Sequence, residues 1–191
     1  MVKVKTKWIC QSCGYETTGY LGKCPDCNSW GSLAEEKFET QPKAINAAKI
    51  NAEKIKDIDI DESIRFSTGM EEFDRVLGGG FVTGSLVLIA GDPGIGKSTI
   101  ILQSSNTLAN SGLKVLYISA EESSKQIKLR SNRLKVNSDN LYILSQTNVE
   151  EIQVVVDEIK PEIVIIDSIQ AVYSSKLSST PGSVSQVREC C

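Results

Sequence analysis

Cys10, Cys13, Cys24 and Cys27 form two C-x-x-C pairs on either side of residues 14–23, in a chain that contains no histidine. Two residues between paired cysteines let both thiolates reach one ion while the N–H groups of the turn face the sulfurs, and two such turns complete a tetrahedral site. Four protein ligands leave no coordination position open, so the ion such a site holds, Zn²⁺ by ligand type, is structural. Gly14 follows the first pair and Gly22 precedes the second, and both are expected to supply the unusual φ angles of these turns. Two disulfides and two redox pairs are the alternatives. The doubled spacing and a basic N-terminus that runs into cysteines, with no apolar signal segment, count against them. Trp8, Tyr15, Tyr20 and Trp30 can pack around so small a site or stack on bases, and packing is the expectation. Lys3, Lys5, Lys7 and Lys23 make either a positive face toward phosphates or an ordinary solvated face.

A second constellation is the run GDPGIGKST, comprising Gly91, Asp92, Pro93, Gly94, Ile95, Gly96, Lys97, Ser98 and Thr99. It satisfies G-x-x-x-x-G-K-[ST] between an apolar run and a helical segment. Glycines let the backbone curl so that its N–H groups face phosphate oxygens, and the following helix adds the positive end of its dipole. Lys97 is expected to reach the β- and γ-phosphates of ATP, and Ser98 to ligate Mg²⁺. The apolar run EIVIIDS supplies an acid at its end, Asp167, for the metal side, and Ser168 can support the metal's water shell. In YISAEES, Glu121 and Glu122 fall just past the end of another apolar run, where a general base is needed. Glu121 is the expected base, and Glu122 is expected to serve the dipole of the next helix.

The elements that must position these groups follow from patterning. The 191 residues allow one ordinary domain and a small module. A formal net charge of −3 gives no global basic field, so any nucleic-acid contact rests on local clusters. Six cysteines are too few for a disulfide scaffold, no apolar run is long enough to span a membrane, and a reduced, cytoplasmic protein is expected. Residues 1–33 are read as the zinc module, 34–62 as a charged linker and 63–191 as the main domain. Strands are expected at 85–90, 114–119, 141–145 and 162–167, and helices near 97–111, 122–134 and 148–160. This alternation predicts an α/β fold, with a parallel sheet and crossover helices. The Ser-rich stretch 174–185 reads as a mobile loop.

The run TGMEEFDRVLGGGFVTGSLVLIAGDPGIGKSTIILQ (68–103), the module CQSCGY…LGKCPDCNSW, the AEES after the second strand and DSIQAVYS…PGSVSQVREC (167–190) together resemble the bacterial RadA (Sms) family of DNA repair proteins. The likeness spans nearly the whole chain apart from the linker. Its specificity lies in the combination, because RecA-type and circadian-clock ATPases share the phosphate loop without this zinc module. The resemblance implies a RecA-like P-loop core and a DNA-stimulated ATPase that assists homologous recombination and moves branched DNA. It implies single-stranded and branched DNA and a RecA-type recombinase as partners, a homo-oligomeric ring, and Zn²⁺, Mg²⁺ and ATP as ligands. Carried onto this sequence, Gly91 to Thr99 bind ATP and Mg²⁺, Asp167 belongs to the metal-side motif and Glu121 is the catalytic glutamate. Gln170 is a candidate γ-phosphate sensor, and residues 173–188, with Lys176 and Arg188, fall where the family places a DNA-facing loop. Tyr20, Ala90 and Ala120 depart from the family pattern without removing a ligand. The family continues well beyond Cys191, so a fragment with an incompletely covered sheet is the expectation. A nucleotide-switched binding module, or an inactive truncated remnant, without sustained turnover is the alternative.

Overall fold

The computed structural model describes residues 4–39, 54 and 65–191. Its N-terminal unit is an antiparallel sheet of order β2-β1-β3, built from β1 (Val4–Cys10), β2 (Glu16–Thr17) and β3 (Leu33–Glu39). β1 and β3 pair along their full length, from Val4 opposite Glu39 to Cys10 opposite Leu33. Residues 34–39, expected in the linker, therefore belong to the module's sheet, because their backbone pairs with β1. The rest of the expected linker lies outside the described residues apart from residue 54.

The main sheet is parallel, of order β7-β6-β8, with β6 (Val115–Ser119) between β7 (Leu141–Ser145) and β8 (Ile163–Asp167). All five residues of β6 are buried, as a central strand covered on both faces must be. On one face Tyr117 packs with Leu102 of α2 (Lys97–Asn110) and Ile127 of α3 (Ser124–Arg133). On the other, Leu116 and Ile118 pack with Ile152 of α4 (Val149–Ile159) and with Val172. Local chemistry starts these helices where the sequence suggests. Ser123 and Gln126 form a capping box at α3, and the Asn148 side chain accepts from the Glu151 N–H at α4.

A small roof closes the N-terminal end of the sheet. β4 (Arg65–Phe66) and β5 (Phe81–Val82) pair antiparallel, and Phe66 and Phe81 pack on Leu108, Ala109 and Val115. Between them runs the short α1 (Glu71–Val76), and Asp74 accepts from the Ser67 hydroxyl and the Thr68 N–H. Gly80 is required in this turn, because its φ is +120° and a Cβ there would lie 2.5 Å from the Phe66 carbonyl oxygen.

Two expected features differ. Residues 85–90 form no strand, and Leu86 and Leu88 are 90% and 80% exposed. An apolar run becomes a strand only where a neighbour supplies its hydrogen bonds, and among the described residues β8 is paired on the β6 side alone. The Ser-rich stretch, expected as a mobile loop, is tied down. The side-chain amide of buried Gln186 accepts from the Ser174 N–H at 2.8 Å and donates to the Ser174 and Ser179 carbonyls at 3.2 and 3.0 Å. Glu150 holds the other side, accepting from the Ser174 hydroxyl and the Ser175 N–H. Beyond the stretch, α5 (Val184–Cys190) starts from Ser183, whose side chain accepts from the Gln186 N–H.

The zinc-module sheet rests on this same segment. Ser178 donates to the Glu35 carbonyl at 3.0 Å, Arg188 lies 3.5 Å from Glu16, and Val184 abuts Gly14. Among the described residues, no helix is long and apolar enough to cross a membrane.

Candidate metal centre and nucleotide site

The four cysteines converge as their spacing requires. Their sulfurs all lie within 4.8 Å of one another, with Cys10 to Cys27 and Cys13 to Cys24 each at 3.6 Å. A tetrahedral ion with metal–sulfur bonds of about 2.3 Å sets its ligand atoms about 3.8 Å apart, so this donor set fits Zn²⁺ with little movement. Each pair sits on a tight turn: the Gly14 N–H donates to the Cys10 carbonyl at 2.8 Å, and the Asn28 N–H to the Cys24 carbonyl at 3.0 Å. The left-handed residues are Gly14 and Asn28, at φ +79° and +61°. Gly22 is not left-handed: the second turn places its unusual angle after the cysteine pair, as the first does, and Asn tolerates it.

Thiol electrostatics point the same way. Burial raises the Cys10 pKa, yet hydrogen bonds from Ser32 and from the Ser12 and Cys13 backbone outweigh that and bring it down to about 6. The Tyr15 backbone favours the Cys13 thiolate, but desolvation and its three cysteine neighbours push that thiol up to about 12. Four thiolates so close repel one another, and a bound dication relieves the repulsion. Of the surrounding aromatics, Trp8 and Tyr20 pack edge to face at 5.0 Å, whereas Trp30 is 77% exposed beneath the Lys23 ammonium. The expectation of packing thus holds for Trp8 and Tyr20 and fails for Trp30. Of the four lysines, Lys7 pairs with Glu16 at 2.8 Å, and Lys3 lies outside the described residues.

The phosphate loop turns on Gly94 and Gly96, at φ +80° and +104°, and Gly96 is the N-cap of α2. No acidic residue occupies the first turn of α2, so its unpaired N–H groups keep their positive potential. The Lys97 ammonium donates to the Gly91 and Asp92 carbonyls at 2.7 and 2.8 Å, capping its own loop. Ser98 and Thr99 are half-buried in the next positions of the helix, and Asp92, Pro93 and Ile95 are exposed on the loop.

Asp167 and Glu121 meet at the C-terminal edge of the sheet. The strands end in register at Ser145, Ser119 and Asp167, and Glu121 and Glu122 follow β6 directly. The Ser168 hydroxyl donates to Glu121 Oε1 at 2.5 Å. Asp167 lies beyond Ile165, which packs on the face that α2 covers, so its carboxylate and the first turn of α2 belong to one side of the sheet. Glu122 does not serve the dipole of α3: that helix starts at Ser124 with no acid in its first turn, and Glu122 pairs with Arg130 at 3.0 Å. Gln170 is exposed, and a Cβ on Gly182 would lie 3.1 Å from its carbonyl oxygen. Sequence reasoning passed over Tyr117, whose hydroxyl donates to Asp167, and Arg130, which stands 3.5 Å from that hydroxyl. An aromatic in an apolar strand reads as core, and only the strand pairing shows what its hydroxyl reaches.

Two family models match separate stretches of the chain. A family model described as KaiC, an ATPase, matches residues 66–146, and a rubredoxin-type metal-binding domain model matches residues 8–35. DNA repair protein RadA of Halalkalibacterium halodurans is 51% identical over 196 aligned residues, covering 100% of this chain and 43% of that protein. RadA of Bacillus subtilis and of Listeria monocytogenes are also 51% identical over 100% of the chain. The chain is RadA-like from end to end. It spans less than half the length of the curated relatives it matches. Among solved structures, the flagellar accessory protein FlaH of Methanocaldococcus jannaschii superposes with a TM-score of 0.51 at 16% identity, over 67% of this chain and 65% of that one, a likeness of fold. The fold is thus a RecA-like α/β core with a zinc ribbon in front. The four-cysteine cluster is the donor set of a structural zinc site, and the KaiC-type match takes in the phosphate loop.

Proposed function

We propose that the chain forms the nucleotide-binding front of a DNA repair ATPase. In this reading Gly91 to Thr99 cradle the phosphates of ATP, with Lys97 leaving its loop carbonyls for the β- and γ-phosphates. Ser98 and Asp167 hold Mg²⁺, which when bound neutralises phosphate charge. Glu121, oriented by Ser168, takes the proton from a water whose oxygen attacks the γ-phosphorus as the bond to the ADP oxygen breaks. The observation that carries the reading is the convergence of Glu121, Ser168 and Asp167 at the sheet's C-terminal edge. That edge is where ligands of open α/β sheets bind.

The relatives' name adds DNA repair, and the finer assignments follow from the family resemblance: stimulation by single-stranded DNA, processing of branched intermediates, cooperation with a RecA-type recombinase and assembly into a ring. Steady-state ATP hydrolysis with and without single-stranded DNA tests it, comparing the parent chain with Lys97→Ala and Glu121→Gln. Turnover that is DNA-stimulated and lost in both variants supports a motor, whereas turnover unchanged by either overturns the site. One observation favours the second reading, a nucleotide-switched binding module. Residues 85–90, which lead into the phosphate loop, stand outside the sheet, so strand pairing does not brace the loop there. Nucleotide binding without turnover under any DNA condition would select that reading.

A further inference from the structure

Tyr117 lies on β6 opposite Ile165 of β8, so its ring reaches diagonally to the residue two positions further along. There its hydroxyl donates to Asp167 Oδ2 at 2.5 Å, and the tyrosine is fully buried. Behind it, the Arg130 guanidinium from the last turn of α3 stands 3.5 Å from the same hydroxyl. Arg130 is held in turn by Glu122, through a 3.2 Å hydrogen bond and a 3.0 Å ion pair. The guanidinium can only donate, so it faces the lone pairs of the phenol and leaves the phenol's single proton for the aspartate. Arg130 thus donates both ways, to Glu122 and to the phenol, and the phenol donates onward to one oxygen of Asp167. We propose that Tyr117, braced by Arg130, is a positioning residue for the metal-side carboxylate, occupying Oδ2 so that Oδ1 is presented to the Mg²⁺–nucleotide side.

This inference rests on the assignment of Asp167 to Mg²⁺. The bland alternative is a buried phenol that merely finds an acceptor, as buried tyrosines do. The two differ in what they move. Loss of an outer partner that orients a ligating carboxylate costs metal affinity, typically tenfold or more. A purely structural hydroxyl alters stability alone.

The test is fluorescent-ATP binding by the chain, titrated with Mg²⁺ and repeated in EDTA, for the parent, Tyr117→Phe, Arg130→Gln and Asp167→Asn, with thermal melts alongside. Tyr117→Phe keeps the ring and its packing. The expected result is a roughly tenfold rise in the Mg²⁺ concentration that half-saturates the metal-linked binding, with affinity in EDTA unchanged. Arg130→Gln should shift the same quantity in the same direction by a smaller factor. An unshifted Mg²⁺ dependence in Tyr117→Phe, at any melting temperature, overturns the proposal. If Asp167→Asn also leaves the Mg²⁺ dependence unmoved, the Asp167 assignment itself falls. If only Asp167→Asn moves it, the assignment stands and Tyr117 is structural.

Discussion

Gln186→Ala is the most demanding test of how this fold holds its one long irregular segment. Gln186 is 1% exposed, and its amide makes hydrogen bonds of 2.8 and 3.0 Å to the Ser174 N–H and the Ser179 carbonyl. Those to the Ser174 and Leu177 carbonyls, at 3.2 and 3.5 Å, are longer and weaker. A buried group stripped of its partner costs about 1–3 kcal/mol. Two well-formed bonds taken at the lower part of that range, about 1–2 kcal/mol each, with the weaker pair discounted, give about 2–4 kcal/mol for truncation to alanine. At roughly 2–4 °C per kcal/mol for a chain of this size, the melting temperature should fall by about 5–15 °C. Amide exchange should rise first at Ser174 to Leu177 and then along α5, because the same side chain spans both. Gln186→Glu keeps the acceptor for the Ser174 N–H but sets a buried carboxylate against the Ser174 and Ser179 carbonyls, so at neutral pH it should destabilise at least as much as alanine. A melting shift below about 2 °C, with unchanged exchange at Ser174, would refute the argument that this side chain organises the segment.

Chelation of zinc, or Cys24→Ser, should raise amide exchange across residues 4–39 and at Ser178 and Arg188, which touch the ribbon, while nucleotide affinity stays put. If the ribbon positions DNA, the same change should uncouple hydrolysis from DNA, and intact stimulation in a folded, zinc-free variant would exclude that role. Lys97→Ala should weaken ATP binding by roughly tenfold or more, as expected for loss of a charge-assisted hydrogen bond, read in a binding titration. Glu121→Gln should retain ATP binding and lose turnover. Hydrogen bonds from the Ser174 hydroxyl outweigh desolvation at Glu150 and hold its carboxyl below the usual range. Because that folded-state value is depressed, the stability it contributes is present at neutral pH and is lost as pH falls through it. Protection of the Ser174 and Ser175 amides, relative to intrinsic exchange at each pH, should therefore fall in acid, and Glu150→Gln should abolish that pH dependence.

Much of the site was legible because local rules wrote it. The cysteine spacing determines which sulfurs can share an ion, and GDPGIGKST specifies a loop by glycine conformation before a helix that Gly96 starts. The helices start where Ser123 and Asn148 cap them, and the runs at 114–119, 141–145 and 162–167 carried enough apolar character to name the parallel core. The misreadings occur where a distant partner decides. Residues 85–90 have the composition of a strand, yet pairing is a property of neighbours, and Leu86 and Leu88 stand exposed. The Ser-rich stretch looks mobile until Gln186 and Glu150 supply its missing hydrogen bonds from either side. Glu122 reads as a helix-dipole residue until α3 brings Arg130 back beside it, eight positions later. The β6–β8 register sets the Tyr117 hydroxyl on Asp167, fifty residues away in the chain. The sequence by itself thus determined which groups could bind zinc and phosphate, because those ligands sit within a few residues of one another. Tertiary structure decided which polar groups orient them, because a hydrogen bond reads position in space and not separation along the chain.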